Sequence, residues 1–191
     1  MATATATFEE RLADLGVGLT RTTPSEFEDA LAAVAPAPAV GAPLPFRDVA
    51  LPESVNAAPT ASDLEAAQSG VTAACMGIAA YGSVVLPSTP GGSEPVSLFP
   101  ERHVAVLRED DLVAGMPEAI ERLGPALREE RGSYVVATGP SATADMGALV
   151  TGAHGPKEVH VLMLTDEGAT EREGSDERDG DSTDATAGGR R

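Results

Sequence analysis

One cysteine in 191 residues, Cys75, leaves no intrachain disulfide, no Cys-only metal site and no iron–sulfur cluster within the chain. The residue reads as a small buried hydrophobe. Tryptophan is absent and aromatics make up 3%, so the core falls to Ala, Val and Leu within a hydrophobic content of 42%. No apolar run reaches the ~18 residues of a membrane-crossing helix, and the N-terminus lacks a basic signal-peptide region. This predicts a cytoplasmic protein without membrane insertion. No P-loop, no Gly-x-Gly-x-x-Gly and no metal-spaced His/Asp set occurs, so neither cofactor nor metal is expected.

Basic charge is scarce too. Thirty acidic residues face 13 basic ones, a net charge of -17, and Lys157 is the only lysine beside twelve arginines. Such a field repels nucleic acid and anionic membranes. Excess acid with abundant Ala and Thr suits a salt-rich cytoplasm, where ions screen carboxylate repulsion. The acidity reports on habitat more than on function.

Three regions are expected: an N-terminal arm and short helix (1–23), an α/β domain (24–165) and an acidic disordered tail (166–191). Residues 1–7 alternate Ala and Thr and are expected to fray. Phe8, Leu12 and Leu15 stand at helical spacing, and Thr23-Pro24-Ser25-Glu26 reads as a capped helix start. That helix should bury Phe27, Leu31 and Val34. Dense prolines over 35–59 favour extended segments, with short edge strands at 40–41 and 48–51. Thr60 or Ser62 should cap a helix ending near Gly70. Strands are expected at 81–86, 103–107, 134–137 and 159–164, and Met116, Ile120, Leu123 and Leu127 mark a helix. Alternating strands and helices predict a three-layer α/β fold, a largely parallel sheet with helices on both faces. Its ligand site would lie on the rim after the parallel strands.

Most of the candidate chemistry falls within 134–156. A β-branched run stops at Gly139-Pro140, followed by Ser141, Thr143 and Asp145; a second corner runs Gly152-Ala153-His154-Gly155-Pro156. Backbone N–H groups after Gly139, with the Ser141 and Thr143 hydroxyls, can cradle a small organic anion. Asp145 can orient those hydroxyls or act as acid/base. The plainer alternative is that Ser141 or Thr143 caps a short helix. His154, between Gly152 and Gly155, can donate to a substrate oxygen or take its proton; alternatively its ring pins the corner. Ser141, Asp145 and His154 do not read as a nucleophilic triad, because no Gly-x-Ser-x-Gly elbow is present and Pro140 removes an N–H donor. Arg102, whose fork matches a carboxylate, and His103 beside it can reach the same rim. Gly82-Ser83 forms a third candidate turn, and His160 reads as structural.

Taken together, these residues resemble the lactate-utilisation (LUD) domain family, of the LutC/YkgG type. The resemblance rests on Gly139-Pro140-Ser141-x-Thr143-Ala144-Asp145 and Gly152-x-His154-Gly155-Pro156. Gly70-Val71-Thr72-x-Ala74, Gly77-Ile78-Ala79 through Gly82-Ser83, and Leu98-Phe99-Pro100-x-x-His103 support it. It covers roughly residues 24–165, and the charge suggests a haloarchaeal-type acidic member. It implies a fold like that of the NagB/RpiA/CoA-transferase proteins. It also implies an accessory or small-carboxylate-binding role in oxidising L-lactate to pyruvate beside iron–sulfur partner subunits. Ligand contacts would come from Gly139, Ser141, Thr143, Gly82, Ser83, Arg102 and Gly155, with His154 and Asp145 as the reactive pair. A stand-alone CoA-transferase-like or isomerase-like enzyme using His154 and Asp145 is the alternative, and a homo-oligomer is left open. Ala142 stands where the family usually has Arg, Met146-Gly147 where an acid is common, and Ala80-Tyr81-Gly82 where Glu-Thr-Gly is usual. The site is therefore expected to be less charged than in its relatives.

Overall fold

The computed structural model describes residues 2–129, 132–145, 148–152 and 154–166, with backbone alone at 2, 144–145 and 148–150. The first half of the chain forms α1 (Ala2–Asp14), β1 (Gly18–Thr22), α2 (Phe27–Val34), β2 (Ala39–Gly41), β3 (Val55–Asn56), α3 (Ala61–Ala66), β4 (Ser69–Ala73), β5 (Met76–Ile78) and β6 (Ser83–Pro87). The second half adds α4 (Ser93–Leu98), β7 (Arg102–Arg108), β8 (Leu112–Val113), α5 (Met116–Glu129), β9 (Tyr134–Thr138), β10 (Ala142–Asp145), β11 (Ala148–Thr151) and β12 (Glu158–Leu164). The acidic tail beyond Asp166 lies outside the described residues.

Six strands form a wholly parallel sheet in the order β1-β12-β7-β4-β2-β3. Its centre, β7 and β12, carries the two apolar runs read from the sequence, as expected of parallel strands covered on both faces. Val104, Val106, Leu162 and Leu164 face α2, where Phe27 and Leu31 close one core. Ala105, Leu107, Val161 and Met163 face the other way, towards Phe8 and Leu12 of α1. Helices thus lie on both sides, and the α/β class holds.

That second face is also covered by a sheet that the strand–helix alternation did not reveal. Four strands in the order β8-β5-β6-β9 lie over it, with β6 antiparallel to both β5 and β9. The strands expected at 81–86 and 134–137 therefore pair with each other rather than joining the parallel sheet. Local pattern gives strand identity, but pairing depends on long-range contacts that no window contains. On its outer side this sheet packs Met76, Ile78 and Val85 against Ala119 and Leu123 of α5. Of the four apolar residues that mark this helix in the sequence, Ile120 and Leu127 are exposed.

Other corrections are local. Helix α1 begins at Ala2, not at Phe8, since Ala is the best helix former and Thr5 is anchored by donating to Glu109 Oε1 (3.0 Å). Strand β1 then docks on β12, so the expected arm is integral to the sheet. Thr60 does cap α3, in a reciprocal box with Asp63, but that helix ends at Ala66. All five residues of β4 are buried, which the small residues of Ser-Gly-Val-Thr-Ala disguised. The 40–41 strand lies inside the sheet between β4 and β3, and 48–51 forms no strand. After Gly139 the chain forms the antiparallel β10–β11 hairpin, not a helix.

His103, the second residue of β7, is 2% exposed, and its Nε2 pairs with Thr72 Oγ1 of β4 at 2.8 Å. Burial pushes its pKa down to about 4, so the ring is neutral in the folded protein. His160 is shifted the same way, first by burial and then by the nearby Arg102 charge. Its ring pairs with Thr20 (2.9 Å), the structural role expected for it.

Two measurements check these assignments. Phe8 is fully buried, so Phe8→Ala should lower the urea-unfolding free energy by about 3–5 kcal/mol; a helix not docked on the core would show almost none. Unfolded histidine binds its proton near pH 6.5, whereas folded His103 does so only near 4. Stability contributed by neutral His103 is therefore full above pH 6.5 and lost as pH falls towards 4. From pH 7 to pH 5 the loss should be about 2 kcal/mol, reduced by that amount in His103→Gln. Equal slopes in parent and variant would contradict the assignment.

Candidate functional site

Strand β9 carries the chain to Gly139, whose φ of +70° is in the left-handed region that glycine reaches without strain. Gly152, in the second corner, has φ +76°. Two backbone hydrogen bonds join the corners: Ser141 N–H donates to the Pro156 carbonyl (3.0 Å), and Gly152 N–H donates to the Ser141 carbonyl (2.8 Å). The approach is so close that a Cβ on Gly155 would lie 2.9 Å from Ser141 Cβ. The two segments singled out from the sequence thus form one wall.

Behind that wall is a cavity of about 420 Å3. It lies between the amino-terminal ends of β7 and β12 and the facing strands β6 and β9. His103, Val159 and Leu86, all buried, form its floor; Val135 and Ala137 line its side. At the mouth stand Ser141, exposed His154 and Leu98, the last residue of α4. No Arg, Lys, Asp or Glu lines it among the described residues, so its polar side chains are hydroxyls and the imidazoles of His103 and His154. An anion here would meet hydrogen-bond donors but no Arg or Lys. No group of three or more His, Cys, Asp or Glu is placed to hold a metal among the described residues.

Gly139, Ser141, His154 and Gly155 come together at this cavity, with Ala142 beside them. Ser83 stands one step behind, its hydroxyl hydrogen-bonded to that of Thr138 (2.7 Å), which does line the cavity. Four other candidates are elsewhere. Gly82 faces α1, where a Cβ would meet Arg11 Cβ at 2.9 Å. Thr143 is exposed on β10 and paired with Val150. Arg102 is committed to an ion pair with Glu158 and donates to the Val34 carbonyl at the end of α2 (3.0 Å). Asp145 pairs through its backbone with Ala148 at the turn of the hairpin, about 10 Å along the strand from Ala142. Its side chain lies outside the described residues.

The cavity is on the opposite rim from the expected one. Both its strands contribute their second residues, and β9 of the second sheet brings the Gly139 corner to that edge. At the carboxyl ends a smaller cavity of about 220 Å3 lies among Ala42, Ala73 and Pro87. Its Ser93 hydroxyl already donates to the Pro87 carbonyl (2.6 Å) and accepts from Thr89 N–H (3.0 Å), leaving little for a polar ligand. Sequence reasoning placed His103 near a rim but did not see it as a cavity floor, nor Thr72 as its support. Both fall within the short motifs that carried the family resemblance, and that was the available signal.

Comparison with known proteins bears on the family and the fold. A family model described as the LUD domain matches residues 46–164, more than half of the chain. Lactate utilization protein C of Deinococcus radiodurans is 29% identical over 168 residues, covering 82% of this chain and 77% of that protein. The protein YkgG of Escherichia coli is 32% identical over 109 residues, 55% of this chain and 47% of its own. With that protein, and with Lactate utilization protein C of Shouchella clausii (32% identical, 46% of its length), the match spans about half of the relative. The fold is similar to the crystal structure of a DUF162 family protein from Deinococcus radiodurans, with a TM-score of 0.66 and 23% identity over 86% of this chain and 98% of that one. Family match, paired corners and fold together place this chain in the LUD domain family.

Proposed function

We propose that this protein is an accessory, small-carboxylate-binding component of an L-lactate utilisation system that oxidises lactate to pyruvate, acting in the cytoplasm beside iron–sulfur partner subunits. The observation that carries this reading is the joining of the two corners, which sets the Ser141 hydroxyl and the His154 imidazole at the mouth of one cavity. A hydroxyl and an imidazole N–H can both donate to a carboxylate oxygen. The naming of several relatives as Lactate utilization protein C supports the pathway. A single cysteine supports the accessory role, because electron-carrying clusters then belong to partners. No described helix is long and apolar enough to cross a membrane. The net charge of -17 supports a haloarchaeal-type setting.

Titration calorimetry of the purified protein with L-lactate and with pyruvate tests the binding site. Ser141→Ala and His154→Ala should each weaken binding about tenfold, the loss of one hydrogen bond to a charged group; parent-like affinity in both would count against the site. The habitat reading has its own check. Raising KCl from 0.1 to 2 M, which shortens the screening length roughly four- to fivefold, should raise the thermal midpoint. A midpoint that falls with salt would contradict it.

A further inference from the structure

His103 lines the cavity yet is 2% exposed, and its one hydrogen bond, from Nε2 to Thr72 Oγ1 (2.8 Å), uses only one of its two ring nitrogens. No buried side-chain nitrogen or oxygen among the described residues lacks a partner. The second nitrogen, Nδ1, is therefore the polar atom that opens onto the cavity. Its neighbours on the floor, Leu86 and Val159, are aliphatic, as is Val135 beside them. A ligand that covers this nitrogen without bonding it leaves a buried polar group unpaired, at a cost comparable to a lost hydrogen bond. The floor thus presents one obligatory hydrogen-bonding atom in an apolar setting, at a distance from the carboxylate donors of the mouth.

We propose that His103 Nδ1 is the specificity-determining contact of the site, bonding the hydroxyl of a hydroxy acid, with Thr72 as the positioning residue that holds the ring. This rests on the carboxylate-binding reading and names the class of acid. A hydroxyl suits the position better than a ketone or an ether, because it both donates and accepts. It pairs with Nδ1 whether the Thr72 hydroxyl donates to Nε2 or accepts from it. The bond to Thr72 fixes the orientation of the ring, so the ligand need not pay to order it.

The test is calorimetry on the full chain with matched pairs: L-lactate against propionate, 3-hydroxybutyrate and 4-hydroxybutyrate each against butyrate, and lactamide as a neutral analogue. At least one hydroxy acid should bind tenfold or more tighter than its deoxy partner. That margin should vanish in His103→Leu, shrink in Thr72→Val and return in Thr72→Ser. Equal binding within every pair, or a margin that persists in His103→Leu, overturns the proposal. Should His103→Leu fail to fold, the parent pairs and the two Thr72 variants decide the matter, a margin indifferent to Thr72→Val counting against it. Lactamide binding as tightly as lactate, with the hydroxyl margin intact, would instead remove the carboxylate reading and leave the His103 contact standing.

Discussion

Two backbone hydrogen bonds, from Ser141 N–H to the Pro156 carbonyl and from Gly152 N–H to the Ser141 carbonyl, turn two distant turns into one surface. Everything proposed for the site depends on that joint. One corner leaves the small four-stranded sheet after β9, and the other feeds β12 at the centre of the parallel sheet. Closing them against each other bridges the two sheets at one edge and encloses the space between them. The closeness of Gly155 to Ser141 leaves no room for a side chain there, so glycine is set by packing at this position.

The cavity so formed is electrically unusual for its chain. The protein carries a net charge of -17, yet no Asp, Glu, Arg or Lys lines the cavity among the described residues. The nearby cations are otherwise engaged: Arg102 with Glu158, and Lys157 with Glu101 (2.6 Å). Recognition of an acid must then come from short-range hydrogen bonds. Salt screens long-range attraction within about a Debye length, ~10 Å at 0.1 M and ~3 Å at 1 M, but screens a partly buried contact far less. Contacts from hydroxyls and imidazoles at short range depend less on salt than those of exposed arginines would.

How much of this was legible follows from where each signal lies. The central strands showed plainly, because 103–107 and 159–164 are apolar on both faces and need only local pattern. The Thr60 cap was equally local. Strand β4 was hidden, since Ser, Gly and Ala carry no strand preference of their own and its burial comes from neighbours on both sides. The hairpin after Gly139 was misread as a helix start for a related reason: a hydroxyl at Ser141 or Thr143 suits either, and the antiparallel partner at 148–151 decides. The two corners that frame the cavity were readable from glycines that need special geometry. Its rim was not, because β9 joins a second sheet that no local pattern announces. His103 shows the same divide, since its identity was noted but its depth and its bond to Thr72 belong to the assembled sheet.

The central claim is that ligand binds between the two sheets, behind the joined corners. The most direct measurement is a backbone-amide chemical-shift map of the isotope-labelled protein titrated with L-lactate. The account predicts saturable shifts at Gly139, Ser141, His154 and Gly155 together with His103 and Val159, all with one dissociation constant. Shifts confined to Ala42, Ala73 and Thr89 at the carboxyl ends, with the corners silent, would contradict it.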